Sequence, residues 1–258
     1  MPAGADMVRY ERRGPAAILT IDRPERRNAV DGPTAERLGE AYRSFAADDD
    51  ARVLILTGEG DEAFCAGADL KALETLAPRL NDPDGPLGFT RLTSPKPTIA
   101  AIDGWCLAGG LELALWCDVR IGDAQAKLGF PERRWGVPLI DGGTQRLPRI
   151  VGQGRALDII LTGRILDASE AAAIGLLTEV VEEAGSLPRA LEYAEGLASF
   201  PQDTMLADRA AALASFGHPL EAGLAIEAGS GLRTLETAVE GAQRFAGGEG
   251  RGGQGAGV

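Results

Sequence analysis

The sequence has few of the residues from which metal centres and nucleophilic triads are built. It contains one histidine, His218, and three cysteines, Cys65, Cys106 and Cys117, whose spacing matches no zinc motif. A Cys/His zinc site or a His-dependent triad therefore lacks its essential members. We expect no metal site, and we expect the three cysteines to pack as small hydrophobic side chains.

Positive charge is also in short supply. The chain has 26 Lys and Arg residues against 38 Asp and Glu residues, which gives a formal net charge of −12. This balance argues against an extended nucleic-acid-binding face and against a polybasic membrane patch, because both need clustered cations. It still permits an anionic small ligand, since a local basic cluster can oppose the global field.

Long uninterrupted hydrophobic segments are missing as well. The most apolar region, residues 97–119, contains Asp103 and Glu112, whereas a membrane-spanning helix needs about 20 apolar residues. Residues 1–13 are charged and lack the apolar core of a signal peptide. We therefore expect a soluble cytoplasmic protein with no membrane partner.

What the sequence does contain is an alternation of short apolar strands and amphipathic helices. Residues 16–21, 53–57 and 98–102 are apolar runs too short for helices and are typical of strands buried between layers. Residues 34–45 have the three-and-four spacing of one helix face, and a second helix is expected over 111–116. The alternation predicts an α/β core with helical crossovers.

Composition divides the chain into three parts. We expect an α/β core domain over residues 1–185, a C-terminal helical region over 186–246 and a flexible glycine-rich tail over 247–258. Within the core, residues 78–97 hold five prolines. This composition indicates an irregular loop or a broken helix, of the kind that often forms a binding loop or lid.

Helix boundaries in the second half of the chain follow from capping residues and breakers. Ser169 and Ser186 are candidate N-caps for the helices that follow them. The last amphipathic stretch is expected from residue 217 to near Phe245.

Two glycine-containing turns each follow a predicted buried strand. The first spans residues 64–71 and the second spans 104–114, where Gly109-Gly110 opens the predicted helix. Glycine at such a turn lets the backbone approach a ligand and leaves N–H groups available at the helix start. Two turns of this kind can aim a pair of N–H donors at one oxygen, as an oxyanion hole requires. The alternative is that the glycines serve only close packing.

Two glutamates stand in apolar surroundings. Glu112 lies within the apolar run 111–116, and Glu132 follows the apolar segment 128–131. Carboxyls in such places can have their proton affinities pushed apart, which yields one acid and one base. The alternatives are ion pairs, of Glu112 with Arg120 and of Glu132 with the neighbouring arginines 133 and 134.

Taken in order along the chain, several motifs resemble those of the crotonase superfamily, the enoyl-CoA hydratases and isomerases. The resemblance covers roughly residues 8–245 and is carried by an ordered set of segments. They are Arg23-Pro24 with Asn28-Ala29-Val30, Phe64-Cys65-Ala66-Gly67-Ala68-Asp69-Leu70, Lys96-Pro97-Thr98-Ile99-Ala100-Ala101-Ile102-Asp103-Gly104, Gly109-Gly110-Leu111-Glu112-Leu113-Ala114 with Cys117-Asp118, Phe130-Pro131-Glu132, Gly142-Gly143-Thr144-Gln145-Arg146-Leu147, Leu161-Thr162-Gly163, and residues 171–181, where Gly175-Leu176 leads into Val180-Val181. It implies a spiral core of repeated ββα units followed by a helical trimerisation region, with a homotrimer or a dimer of trimers as the assembly.

The resemblance also implies an acyl-CoA thioester substrate and assigns roles to particular residues. By motif position, the backbone N–H groups of Ala68 and Gly109 hold the thioester oxygen. Glu112 and Glu132 match the two positions that are both glutamate in the hydratases, where they bind the water that adds across the double bond. Coenzyme A is part of the substrate, so no separate cofactor is implied. The other candidate substrate-binding residues near the first turn are Ala66, Asp69, Leu70 and Lys71. The candidate partners of the substrate's phosphates are Arg26, Arg27 and, again, Lys71.

One segment departs from the family pattern. Where common hydratases have Pro-Gly-x-Gly-Gly, this chain has Leu139-Ile140-Asp141-Gly142-Gly143, and Trp135 replaces a smaller residue. We place Trp135 and Asp141 among the substrate-contacting residues, with Asp141 as either a third acid in the site or a turn residue. The predicted activity is hydration of a 2-enoyl-CoA. The alternatives are a Δ3,Δ2-enoyl-CoA isomerase and an acyl-CoA-binding protein without turnover.

Overall fold

The computed structural model describes residues 7–182 and 185–249. Its strands are β1 (Val8–Arg13), β2 (Ala16–Ile21), β3 (Val53–Gly58), β4 (Ala63–Cys65), β5 (Thr98–Ile102), β6 (Trp105–Leu107), β7 (Val119–Asp123), β8 (Lys127–Gly129), β9 (Ile165–Asp167) and β10 (Glu179–Val181). Its α-helices are α1 (Gly32–Ala47), α2 (Leu73–Leu76), α3 (Gly109–Trp116), α4 (Gly143–Val151), α5 (Gln153–Thr162), α6 (Ala168–Ala173), α7 (Ser186–Ser199), α8 (Gln202–Ala214), α9 (Leu220–Arg233) and α10 (Leu235–Ala246).

Six strands form the larger sheet, in the order β1-β2-β3-β5-β7-β10. The β1–β2 pair is antiparallel, and the pairs from β2 to β10 are parallel. The strands β2 and β5 are buried along their whole length, and β3 is buried except at its last residue. Burial on both faces explains why these three segments are apolar without alternation, and it confirms the strands predicted there.

A second, smaller sheet has four strands in the order β4-β6-β8-β9. After each of β3, β5 and β7 in the large sheet, the chain next forms β4, β6 or β8 in the small sheet. After β4 and β6, a helix or helical turns lead back to the large sheet; after β8 the chain passes through α4, α5, the small-sheet strand β9 and α6 before it forms β10. This is the predicted α/β core of repeated ββα units, and it places the ends of β4, β6 and β8 side by side.

Helix capping follows the local side chains. The helix α1 is capped by Asp31, whose carboxylate accepts a hydrogen bond from the Thr34 N–H. The predicted cap Ser169 is wrong: the cap of α6 is Asp167, which accepts from the Glu170 N–H, while the Ser169 hydroxyl donates to the same carboxylate. The carboxylate lies two residues earlier and reaches the third residue of the helix, as an N-cap requires.

The contacts divide the described chain into two compact units, one ending at Ala194 and the other beginning at Glu195. The second unit contains the end of α7 and the helices α8, α9 and α10. The predicted single stretch over 217–245 is two helices, because the backbone leaves the helical conformation at Thr234. Of the predicted tail, residues 250–258 lie outside the described residues.

The helices formed by residues 7–182 and 185–249 include none with the length and apolar character that crossing a bilayer requires.

Candidate active site

The first unit contains a cavity of about 240 Å³. Its wall is mostly apolar, and the only titratable side chains among the lining residues described are three carboxyls, Glu112, Glu132 and Asp141. The complete lining is Ala66, Ala68, Leu70, Leu73, Leu76, Leu80, Pro86, Leu87, Leu107, Ala108, Gly109, Glu112, Pro131, Glu132, Trp135, Val137, Pro138, Leu139, Ile140 and Asp141. Apolar walls with a few converging polar groups are typical of small-molecule sites.

The two predicted glycine turns meet at this cavity. A Cβ on Gly109 would lie 3.5 Å from the Ala68 nitrogen, so the two turns are in backbone contact. The isolated bridge between Val30 and Ala68 uses the Gly67 carbonyl and the Asp69 N–H, which directs the N–H of Ala68 away from Val30. Within the described residues, neither the Ala68 N–H nor the Gly109 N–H donates to a protein group. Both N–H groups are therefore free to donate to a ligand.

Ala108 holds the second turn in an unusual conformation. Its φ is 51° and its ψ is −125°, a region that residues with a Cβ rarely adopt. Its N–H donates to the Gly129 carbonyl at 2.9 Å, and its carbonyl accepts from the Glu112 N–H at 3.1 Å. Strain of this kind costs about 1–3 kcal/mol and persists only where surrounding contacts impose it. Here the conformation of Ala108 sets the direction of the Gly109 N–H.

Glu112 lies in the first turn of α3 and is only 2% exposed. Its Oε1 atom accepts the N–H of Gly143 at 2.7 Å and the N–H of Asp141 at 2.9 Å. Burial raises the pKa of this carboxyl to about 7; the Gly143 N–H opposes the rise, and the negative charges of Asp141 and Glu132 add to it. The expected alternative, an ion pair with Arg120, is not formed, because the Arg120 guanidinium donates to the carbonyls of Leu176 and Cys117.

Glu132 lies in a 3-10 turn, Pro131–Trp135, and is 6% exposed. Both of its carboxyl oxygens are buried, and neither has a hydrogen-bond partner within the described residues. Burial raises the pKa of this carboxyl, since the charged form is poorly solvated there. The alternative of an ion pair with Arg133 or Arg134 is not formed. An unpartnered buried carboxyl in a cavity wall is costly unless a ligand completes its hydrogen bonds.

Asp141 is not a simple turn residue. It is 3% exposed, lines the cavity, and its Oδ1 atom accepts from the Leu87 N–H at 3.1 Å and from the Thr90 hydroxyl. Burial raises its pKa, while these donors and the charges of Arg91 and Arg146 oppose the rise. The third carboxyl considered from the sequence therefore does lie beside the two glutamates.

The structure brings most of the predicted site residues to one cavity and leaves four of them off its wall. Those that line it are Ala66, Ala68, Leu70, Gly109, Glu112, Glu132, Trp135 and Asp141. Asp69 is instead buried in an ion pair with Arg23 and caps the turn that follows by accepting from the Lys71 N–H. The side chains of Lys71, Arg26 and Arg27 are exposed, and Arg27 pairs with Glu62.

Part of the cavity wall was not predicted residue by residue. The leucines at 73, 76, 80 and 87, with Pro86, come from the helical turns after Asp69 and from the proline-rich segment. That segment was predicted to be an irregular loop or a broken helix, of the kind that often forms a binding loop or lid, and its proline content was the signal. Residues 137–140 also line the cavity, and among them the departure from the family pattern pointed to Leu139 and Ile140.

A comparison of the whole chain with known proteins agrees with this geometry. A family model described as enoyl-CoA hydratase/isomerase matches residues 11–249. The chain belongs to the enoyl-CoA hydratase/isomerase family. Membership of this family accounts for the mixed α/β core and the helices that follow it.

Individual relatives extend over nearly the same length. The chain is 37% identical to a crotonyl-CoA hydratase of Syntrophomonas wolfei over 222 residues, which is 84% of this chain and 85% of that protein. It is 35% identical to a carnitinyl-CoA dehydratase of Citrobacter koseri over 254 residues, covering 94% of this chain and 96% of the other. The crystal structure of an enoyl-CoA hydratase from Mycobacterium marinum superposes with a TM-score of 0.88 at 34% identity, covering 94% and 96% of the two chains.

Proposed function

We propose that this protein is an enoyl-CoA hydratase, a hydro-lyase that adds water across the double bond of a 2-enoyl-CoA thioester. The observation that carries the proposal is the placement of Glu112 and Glu132 in the wall of one apolar cavity that Ala68 and Gly109 also line. Hydration needs a base, an acid and a site for the negative charge on the thioester oxygen, and this set of groups supplies all three.

The thioester oxygen is proposed to lie between the N–H groups of Ala68 and Gly109. Attack at the β-carbon moves electrons through the α-carbon onto this oxygen, so the two donors bind the enolate more strongly than the ground state. The strained Ala108 fixes the Gly109 donor before the substrate arrives, which avoids reorganisation during the reaction.

The two glutamates carry the protons. The water oxygen bonds to the β-carbon and gives one proton to Glu112, and the α-carbon takes the proton of Glu132. One water is thereby added, Glu112 is left protonated and Glu132 ionised, and a proton must return from Glu112 to Glu132 before the next turnover. In the reactive state the two carboxyls therefore hold one proton between them, and that proton is on Glu132.

The hydrogen bonds at each carboxyl favour this assignment. Two N–H donors on Glu112 Oε1 stabilise its ionised form and fix the plane of the carboxylate. Glu132 has no such donor within the described residues, and burial alone favours its protonated form. Glu112 is thus suited to be the base and Glu132 the acid.

The rest of the substrate is assigned by chemistry. The acyl group fits the apolar wall, and we assign the phosphates of coenzyme A to the exposed cations Arg26, Arg27 and Lys71. Coenzyme A is part of the substrate, and the proposed steps use no metal or redox cofactor. We further propose a cytoplasmic homotrimer or dimer of trimers, with the helical second unit in the subunit interface.

The test is to incubate the purified protein with crotonyl-CoA, to follow loss of the conjugated-thioester absorbance, and to measure the product mass. We expect a gain of one water, and a loss of about 10²–10⁴-fold in Glu112→Gln and in Glu132→Gln. Near-wild-type turnover in both variants would refute the assignment. Isomerisation of a 3-enoyl-CoA without water uptake would instead identify an isomerase, and tight binding without any product would identify a binding protein.

A further inference from the structure

Asp141 contacts both the Glu112 carboxyl and the loop that contains Leu87 and Thr90. It lies between the wall segment 137–140 and the glycine pair that opens α4, and it is almost fully buried. The mechanism above uses no atom of its side chain. A buried carboxyl in this position therefore needs its own explanation.

The backbone of Asp141 contacts the catalytic base, and its side chain contacts the opposite wall. Its N–H donates to Glu112 Oε1 at 2.9 Å, while its Oδ1 accepts from the Leu87 N–H at 3.1 Å and from the Thr90 hydroxyl. One residue thus connects the Glu112 carboxylate to the loop that supplies Pro86 and Leu87 to the cavity wall.

Arg146 reinforces this connection from α4. Its guanidinium donates to the Asp141 carbonyl at 2.8 Å and to the Thr90 carbonyl. Asp141 and Thr90 are therefore connected twice. The Thr90 hydroxyl donates to the Asp141 carboxylate, and the Arg146 guanidinium donates to the backbone carbonyls of both residues. Such a closed set of buried hydrogen bonds holds its members in one arrangement.

We propose that Asp141 is a positioning residue: it fixes the orientation of Glu112 and ties it to the Leu87–Thr90 loop of the cavity wall. The role assigned to Glu112 rests on the proposed function, but the contacts of Asp141 do not. Its carboxylate places a negative charge beside the base, and a base with a negative neighbour holds its proton more tightly.

Among the residues that the structure describes, Asp141, Glu132 and Arg146 carry charges that act on Glu112. Asp141 and Glu132 are acidic and raise the pKa of Glu112, whereas Arg146 interacts favourably with its ionised form. Replacing Asp141 by asparagine removes one of these charges. The asparagine keeps the N–H to Glu112 and has an amide oxygen that can accept from Leu87 and Thr90. The variant therefore tests the charge of Asp141 while the hydrogen-bond geometry is kept.

The experiment measures Glu112 directly and needs no turnover. Protein labelled with ¹³C at the glutamate side-chain carboxyl is titrated by NMR, and the Glu112 signal is assigned by its loss in Glu112→Gln. In Asp141→Asn we expect the titration midpoint of Glu112 to fall by about one pH unit. Asp141→Ser, which also keeps the N–H and removes the charge, is used if the asparagine variant does not fold.

Asp123→Asn is the matched control, because Asp123 is also a buried aspartate that accepts a backbone N–H, that of Gly104, but it does not line the cavity. It should leave the Glu112 midpoint unchanged. An unchanged midpoint in the Asp141 variants, or an equal shift in the control, would overturn the proposal. Absence of crotonyl-CoA hydration by the wild type would refute the proposed function alone, since the titration does not depend on it.

The tie to the loop has a separate readout. In Asp141→Ser the Leu87 N–H and the Thr90 hydroxyl lose the carboxylate that accepts from them, so amide hydrogen exchange at Leu87 should become faster by tenfold or more. In Asp141→Asn it should change much less, because the amide oxygen replaces the acceptor. Equal exchange in the wild type and both variants would show that Asp141 does not hold the loop.

Discussion

Gly67 and Gly109 meet backbone to backbone: a Cβ on Gly67 would lie 2.8 Å from the Gly109 nitrogen. Gly67 also has a φ of +93°, which residues with a Cβ rarely adopt. The approach brings the two proposed donors, the N–H groups of Ala68 and Gly109, next to each other. No side chain fits between them without moving one of the donors.

Gly67→Ala should therefore damage catalysis more than stability. We expect kcat/KM for crotonyl-CoA to fall by about 10²–10³-fold, the usual effect of losing one oxyanion donor. The positive φ should add a stability cost of about 1–2 kcal/mol. Steady-state kinetics and thermal unfolding of the variant measure the two effects separately.

Gly60→Ala is the control for that variant. Gly60 has a φ of +79°, but its Cβ would meet nothing within 4 Å. It should show the stability cost of the positive φ alone, with unchanged activity. A Gly67→Ala protein as active as Gly60→Ala would argue against the two N–H groups as the oxyanion site.

The pH dependence of hydration should report the ionisation of Glu112. The base must be ionised, and burial raises the pKa of its carboxyl to about 7. We expect kcat/KM to fall about tenfold per pH unit well below this value. A profile measured from pH 5 to 8 checks this. A rate that stays constant down to pH 5 would contradict the role of Glu112 as the base.

Burial of Glu112 should also make stability depend on pH. Its folded-state pKa, about 7, lies above the ordinary value of 4.5, so the ionised carboxyl opposes folding. This penalty is absent below about pH 4.5, grows as the pH rises through 7, and then levels off at about 3 kcal/mol. Glu112→Gln should thus gain stability over the wild type across that range in denaturant unfolding.

The corresponding control is Glu36→Gln, on the exposed side of α1. Its stability relative to the wild type should not follow the same pH course. If the two variants behave alike, the buried position of Glu112 is not the source of the effect.

Leu87 should influence the choice of acyl group. It is 2% exposed, lines the cavity, and its Cδ1 atom would lie 2.9 Å from a Cβ on Gly109. Leu87→Ala should cost about 2–5 kcal/mol of stability and enlarge the space beside the thioester. The ratio of kcat/KM for a branched 2-enoyl-CoA to that for crotonyl-CoA should rise by about tenfold or more.

Leu38→Ala removes an equally buried leucine from α1, away from the cavity lining. It should cost similar stability and leave the substrate ratio unchanged. A shift in both variants would mean that general loosening, and not the cavity wall, changes the preference.

Several features of this protein follow from local sequence. The segments 16–21, 53–57 and 98–102 are strands because they are short, apolar on both faces and bounded by turn residues. The turns around Gly67 and Gly109 follow from glycine placement after such strands, and Glu112 and Glu132 were conspicuous because charge is costly among apolar residues. Each of these signals lies within about ten residues of the feature it predicts.

The tertiary structure decided the features that depend on distant residues. Asp141 contacts Leu87 across 54 positions of sequence and Glu112 across 29. The conformation of Ala108, which no local preference favours, is held in part by the hydrogen bond from its N–H to the Gly129 carbonyl. The prediction of Ser169 as the N-cap of α6 was wrong for a related reason: the nearby Asp167 carboxylate is a second possible acceptor, and it accepts the Glu170 N–H instead.

The sequence by itself thus determined the layered α/β core, the two donor turns and the two glutamates, because backbone propensity and burial leave a local pattern. Only the folded chain decided that a third carboxyl lies beside them, which leucines form the cavity wall, and which carboxyl is hydrogen-bonded and which is not. Those outcomes depend on side chains brought together from separate ββα repeats, and proton affinity depends on the resulting burial and neighbours.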